Sequence, residues 1–193
     1  VCNLITQSMP SRELKSISLE GLDGHELGHN LYTDGRIWEA YAHDLAKGRF
    51  YPSLPSGLDG TQKLYASEIL AAVQDESDPV PRSVILKTVA ALQNILEDGY
   101  VDARTSFEFP GRLARGIALN NLRYSELVPD ITEMVNRKYY DHSIVLNLLI
   151  EYVRAGEVNN LSGYTGEFMD LLLEFIPAVD ACIRDDDNRS RCE

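Results

Sequence analysis

Apolar residues recur along most of the chain at intervals of three and four, which is the spacing of amphipathic helices. The first such run follows Ser11, a residue type that caps helix starts. Its predicted buried positions are Leu14, Ile17, Leu22 and Leu27. We expect this helix to end near Gly35, which supplies a C-terminal break.

The same spacing predicts further helices downstream. They cover residues 36–47, 61–74, 82–99, 112–122, 127–138, 142–155 and 164–183. The last of them is expected to be broken or kinked near Pro177. Residues 1–5 suggest the end of a strand, and residues 50–57 predict a loop. The sequence therefore predicts a mainly α fold with at most a remnant of an N-terminal sheet.

The helix predicted over residues 82–99 carries two acids at its C-terminal end. Its predicted core positions are Val84, Ile85, Val89, Leu92, Ile95 and Leu96. Glu97 and Asp98 adjoin this stripe, where an unpaired charge is costly, so a metal ion would be a suitable partner. The alternative is a helix end whose acids face solvent, and this segment alone does not decide between the two. A loop is predicted to follow at residues 105–111.

Composition indicates an ordinary globular protein. The chain has 193 residues, of which 44% are hydrophobic and 25% charged, and no apolar run approaches the length of a membrane span. We expect one domain over residues 1–184 and a polar tail or linker start over 185–193. The formal net charge of -12 argues against a nucleic-acid partner, because backbone phosphates would be repelled.

The cysteines and the N-terminus bear on location. Cys2, Cys182 and Cys192 lie near the chain ends without a C-x-x-C pair, so neither a disulfide framework nor a cysteine zinc site is indicated. This pattern predicts a reducing, cytoplasmic compartment. The chain begins at Val1 without a methionine or a signal peptide, and we expect it to be an excised piece of a longer protein.

The segment His25-Glu26-Leu27-Gly28-His29 has the form H-E-x-x-H, which a chain with only 4 histidines rarely contains by chance. On a helix, His25 and His29 lie one turn apart on the same face, so both imidazoles can bind one divalent metal. Glu26 can then take a proton from a water whose pKa zinc lowers to about 7. The alternative interpretation is a surface helix with two unrelated histidines.

Three glycines surround the histidines on this predicted helix. Gly21, Gly24 and Gly28 each weaken a helix by roughly 1 kcal/mol relative to alanine. We therefore expect them to allow another backbone to approach the metal-binding face.

A catalytic zinc site needs three protein ligands and an open position, so the two histidines require a partner. One zincin pattern places it six residues after the second histidine, but Gly35 stands there, and Asp34 is interpreted as a helix-end residue. Glu97 is the best candidate, and Asp98 or Asn94 could hold an imidazole N–H and fix its tautomer. If Glu97 is not the ligand, the residues to consider are Asp34, Asp98 and Asp102.

Two segments, residues 25–34 and 94–98, resemble a gluzincin-type metallopeptidase domain. That domain accompanies von Willebrand factor A modules in bacterial and phage proteins, some of them similar to cobaltochelatase subunits. The resemblance covers roughly residues 12–104 and implies a zincin-like helical domain. It implies zinc bound by His25, His29 and Glu97, with Glu26 as general base acting on a peptide or protein substrate. It also implies a bacterial source and a von Willebrand factor A module in the full-length protein.

Peptide hydrolysis also needs a hydrogen-bond donor for the developing oxyanion. Residues with suitable chemistry are Tyr100, Arg104, Tyr139, Tyr140 and His142, and none has a distinctive spacing. We favour His142 for this catalytic role, because it lies near a predicted helix start.

Three functions are compatible with these features. The favoured one is a zinc metallopeptidase that hydrolyses peptide bonds with a metal-activated water and Glu26 as base. The second is a zinc-stabilised, non-catalytic binding or assembly module of a larger protein. The third is a metal-free helical scaffold.

Overall fold

A computed structural model describes residues 2–49 and 56–192. Over these residues the chain forms helices and no β-strand. The helices are α1 (Cys2–Ser8), α2 (Arg12–Tyr32), α3 (Gly35–Ala46), α4 (Gly60–Gln74), α5 (Pro79–Glu108), α6 (Arg112–Ser125), α7 (Ile131–Asn136), α8 (Asp141–Ala155), α9 (Glu167–Ile183) and α10 (Asn188–Cys192). The predicted mainly α class is therefore confirmed.

The predicted strand end at residues 1–5 is wrong, because Cys2–Ser8 is a helix. A short apolar run does not by itself distinguish a strand from a helix. Most of the loop predicted over residues 50–57 lies outside the described residues, as does Val1. Within the described ranges, no helix is apolar over a long enough stretch to cross a lipid bilayer.

The chain divides into two compact units. The first comprises Val1–Thr33 and Ile95–Arg184, and the second comprises Asp34–Asn94 and Asp185–Glu193. The core of the first unit includes buried apolar side chains from α5, α6, α7, α8 and α9. Its fully buried apolar side chains include Val101, Ile131, Met134, Ile144 and Leu148.

Helix α2 begins as predicted, with the Ser11 hydroxyl accepting a hydrogen bond from the Leu14 N–H at 3.2 Å. Its buried residues, however, are Ser18, Gly21, Gly24 and Gly28. The predicted leucine stripe is wrong at Leu27, which is 38% exposed. Small residues face the interior because α2 packs directly on the backbone of α6. A Cβ on Gly21 would collide with the main chain of Gly116, so the expected close approach of another backbone is confirmed at Gly21, whereas the nearest neighbours of Gly24 and Gly28 are side chains.

Helix α5 extends well beyond its predicted end at residue 99. The loop predicted over residues 105–111 is wrong as far as Glu108, where the helix ends. Thr105 is fully buried, and Asp102 and Asp98 are buried one and two turns before it, respectively. Of the six predicted core positions, only Ile95 is buried, and Val84 is 42% exposed. The buried part of this helix thus lies at its C-terminal half and contains the acids.

Two predictions are wrong in the second unit: the helix-end role of Asp34 and the polar tail over residues 185–193. Asp34 is a helix-start residue, since its carboxylate accepts the Arg36 N–H at 3.0 Å and caps α3, and Gly35 is the first residue of that helix. The predicted polar tail contains α10, in which Arg191 and Cys192 are 7% and 8% exposed. The Asn188 side chain of α10 accepts a hydrogen bond from the Asp34 N–H at 3.0 Å. Residues 188–192 are therefore part of the folded unit.

Candidate metal centre

The two histidines of the H-E-x-x-H segment converge as the helical spacing predicts. The Nε2 atoms of His25 and His29 lie 3.2 Å apart, with the rings edge to face at 85°. Asp98 on α5 approaches them from the same unit. Its Oδ1 lies 3.2 Å from His29 Nε2 and 3.8 Å from His25 Nε2. These three side chains form a group that could hold a metal ion.

The spacing of the three donor atoms suits a small tetrahedral ion. Zinc bonds of about 2.0–2.1 Å in tetrahedral geometry place neighbouring ligand atoms about 3.3 Å apart. Two of the three separations are 3.2 Å, and the third, at 3.8 Å, requires a wider angle at the ion. The residues present therefore fit a divalent metal without rearrangement of α2 against α5.

Asp102 orients His25. Its Oδ1 lies 2.8 Å from His25 Nδ1, and its Oδ2 accepts a hydrogen bond from the Asn121 amide at 3.0 Å. A carboxylate accepts hydrogen bonds, so the neutral ring carries its proton on Nδ1 and presents a lone pair at Nε2. Burial alone would lower the pKa of His25, but the hydrogen bond to Asp102 and the charges of Asp102 and Asp98 outweigh it and raise the pKa above 6.5.

Thr33 orients His29 in the same way. The Thr33 hydroxyl donates to Glu97 Oε1 at 2.7 Å and lies 3.0 Å from His29 Nδ1. Because its single hydrogen is given to Glu97, the hydroxyl accepts the proton of His29 Nδ1. The Nε2 atom of His29 consequently presents its lone pair toward His25 Nε2 and Asp98 Oδ1. Glu97, which is 2% exposed, reaches the centre through this hydroxyl.

Arg154 holds the remaining carboxylate in place. Its Nη2 donates to Asp98 Oδ2 at 2.9 Å, while its Nη1 donates to Asn121 Oδ1 at 2.9 Å. Asp98 therefore has one oxygen on the guanidinium and the other on the side of the histidines. Helices α2, α5, α6 and α8 each contribute to the arrangement.

One side of the group is open to solvent. The side chains of His25 and His29 are 15% and 28% exposed, while that of Asp98 is 10% exposed. Glu26, between the histidines in sequence, is exposed. Three protein donors with access for water would leave a position on a bound metal ion for a further ligand, whereas structural zinc sites are closed by a fourth protein ligand.

Three predicted site residues, Glu97, Asn94 and His142, are not among the three that converge. Glu97 is next to this group, but its donor atoms are not part of it. Asn94 is exposed and belongs to the second unit. His142 is exposed on the first turn of α8, where its ring stacks on Tyr140 with centroids 5.7 Å apart. Arg154 follows twelve residues later on that helix, which corresponds to about 18 Å along the axis.

The sequence did not predict the roles of four residues around the donor group. They are Thr33, Asp102, Asn121 and Arg154. Thr33 follows His29 by four positions and Asp102 follows Asp98 by four, so helical spacing was a usable signal for both. The sequence offered Asp102 only as an alternative third metal ligand, whereas its carboxylate binds His25 Nδ1. Asn121 and Arg154 come from separate helices with no motif around them, and only the folded chain places them here.

Comparison with known proteins leaves the centre to be interpreted on its own geometry. No family model matches the chain, and neither a curated protein nor a solved structure is significantly similar to it.

Proposed function

We propose that this chain is a zinc-dependent metallopeptidase whose H-E-x-x-H helix resembles that of the gluzincin domain, with an aspartate in place of the third-ligand glutamate. The observation that supports this most is the convergence of three donors at zinc-like spacing, with the exposed Glu26 next to His25 in the sequence. We assign His25, His29 and Asp98 as the ligands. Asp98 takes the place first given to Glu97, because its Oδ1 faces both Nε2 atoms while Glu97 binds the Thr33 hydroxyl.

The chemistry follows from these assignments. His25, His29 and Asp98 would hold the zinc, which would lower the pKa of a bound water to about 7 and supply a Lewis acid for a substrate carbonyl. Glu26 accepts the proton of the attacking water and passes it to the leaving amine. Asp102 and Thr33 keep the two imidazoles in the tautomer that leaves Nε2 free for the metal.

The choice of peptides as substrates rests on the resemblance of residues 25–34 and 94–98 to the gluzincin domain. The net charge of -12 favours cationic peptide segments over nucleic acids. By the same resemblance, the full-length protein is bacterial or phage-borne and includes a von Willebrand factor A module. The cysteine pattern favours a cytoplasmic location.

The test compares zinc-loaded wild type with Glu26→Gln on an unbiased peptide library, with cleavage read by mass spectrometry. Glu13→Gln is the matched control, since Glu13 is an exposed acid on the same helix. We expect wild type and E13Q to cleave, and E26Q to retain one zinc while losing cleavage. Unchanged cleavage by E26Q would remove Glu26 as the base, and no cleavage by the loaded wild type would remove the peptidase assignment.

One observation favours a second function, a zinc-stabilised binding or assembly module. Zincins align the substrate backbone on an edge strand, and residues 2–49 and 56–192 contain no strand. In such a module the metal would join α2 to α5 and stabilise the first unit. Its signature would be a sharp loss of thermal stability on zinc removal, with E26Q silent in every functional assay.

A further inference from the structure

Two side chains outside the donor group, Arg154 and Asn121, connect Asp98 to Asp102. Arg154 donates to Asp98 and to Asn121, both at 2.9 Å, and Asn121 donates to Asp102 at 3.0 Å. Asp102 in turn lies 2.8 Å from His25 Nδ1. A continuous chain of four hydrogen bonds thus runs from one histidine to the carboxylate that faces it.

The guanidinium is well suited to the centre of this chain. Its planar group offers several N–H donors in fixed directions, so one side chain can hold two acceptors at once. Arg154 is itself held, because its side chain is only 23% exposed and its guanidinium carbon lies 5.0 Å from the centroid of the Tyr124 ring. The orientation of Asp98 is therefore imposed from α8 and α6.

We propose that Arg154 is a positioning residue that sets the affinity of the centre for its metal. This rests on the proposed metal site formed by His25, His29 and Asp98. Arg154 fixes Asp98 so that Oδ1 faces the histidine nitrogens. Through Asn121, the same guanidinium also holds Asp102, which orients His25. Loss of such partners of metal ligands costs typically 10–100-fold in affinity.

The sign of the effect separates positioning from simple electrostatics. Arg154 is a positive charge next to the carboxylate ligand, and its removal would by charge alone strengthen the binding of a cation. Positioning predicts the opposite, because a released Asp98 carboxylate would have to be reordered each time a metal binds. Arg154→Lys keeps the charge but loses the two-pronged geometry, so charge alone predicts no change for it.

The experiment measures zinc affinity of the whole chain by competition with a chromophoric chelator. Variants are Arg154→Met, Arg154→Lys and the control Arg137→Met, in which Arg137 is 60% exposed and pairs with Glu133. We expect about 10–100-fold weaker binding for R154M, about tenfold weaker for R154K and no change for R137M. Cobalt absorption spectra should change in shape for both Arg154 variants, because Asp98 is no longer held as a ligand in one orientation.

A double-mutant cycle confirms the route of the effect. In an Asp98→Asn background, R154M should weaken zinc binding by much less than it does in wild type. Circular dichroism of the metal-free variants checks the fold, and R154K decides the matter if R154M does not fold. Wild-type or tighter affinity in R154M and R154K, with wild type binding one zinc, would overturn the positioning role and leave the metal site standing. If wild type binds no zinc, the proposed function fails, and the inference fails with it.

Discussion

Gly28 sets the separation of α2 from α5 beside the metal centre, and its substitution tests whether that separation matters. A Cβ at this position would lie 2.5 Å from Val101 Cγ1 and closer still to the Thr105 hydroxyl oxygen. Ordinary van der Waals contact begins at 3.4 Å. Relief of the Val101 contact alone takes roughly 0.9 Å, and we expect Gly28→Ala to move the two helices apart by at least about this much, since both neighbours are branched side chains in a packed interior.

The consequence for the centre can be calculated from its donor distances. His25 Nε2 and Asp98 Oδ1 are 3.8 Å apart in the native arrangement. An opening of that size would take them to roughly 4.7 Å, whereas zinc bonds of about 2.1 Å cannot join atoms more than about 4.2 Å apart. We expect G28A to weaken zinc binding by about tenfold or more, and overpacking to lower the free energy of unfolding by about 1–3 kcal/mol.

Gly24→Ala is the matched control on the same helix. A Cβ on Gly24 would lie 3.1 Å and 3.4 Å from side-chain atoms of Leu113 and Ile117, a contact that small adjustments can relieve. Alanine also gains about 1 kcal/mol of helix propensity over glycine, so G24A should keep its zinc affinity and much or all of its stability. Both variants are compared by chelator competition and by thermal unfolding with and without zinc. Wild-type zinc affinity and stability in G28A would refute the argument from helix separation.

Three further predictions use single side chains. Asp98→Ala should abolish zinc binding in a chelator competition, whereas Glu97→Gln, which can still accept from Thr33, should weaken it by less than about tenfold; the reverse order would make Glu97 the ligand. Thr33→Val should weaken zinc binding by about tenfold because His29 loses its acceptor, and Thr33→Ser should restore it; equal affinities in the two variants would exclude this role. Burial raises the pKa of Glu151 to about 7, so the folded protein retains a proton there that the unfolded chain releases between pH 4.5 and 7, and stability falls as pH rises through that window. Glu151→Gln should remove up to about 3 kcal/mol of this loss at pH 8 and change little at pH 4, which urea unfolding at both pH values measures; equal shifts at both would contradict it.

The helix that carries the histidines was predictable from local signals. Ser11 caps it, and the H-E-x-x-H spacing places both imidazoles on one face. The partner carboxylate was harder to predict. Glu97 and Asp98 are adjacent on a helix, so their side chains point about 100° apart. Which of them faces α2 depends on the rotation of α5 about its own axis, and that rotation is set by packing.

Other misses have the same origin in tertiary contacts. The C-terminal part of α5 was predicted as loop because its local sequence contains a cluster of residues with weak helix preference. Burial of Thr105 against Gly28 stabilises the helix there. Leu27 was assigned to the core by spacing, yet the interior side of α2 is taken by glycines that admit neighbouring helices. The rule that large apolar residues are buried does not predict helices that pack closely through glycines.

Every role proposed for this chain depends on the binding of one divalent metal by His25, His29 and Asp98. The most direct measurement is elemental analysis and zinc titration of the purified chain, prepared without chelators and followed by thermal unfolding before and after metal removal. We expect one zinc per chain, a lower melting temperature after its removal, and loss of the metal in His29→Ala. A metal-free protein that binds no added zinc and whose melting temperature is insensitive to chelators would contradict metal binding by these three residues.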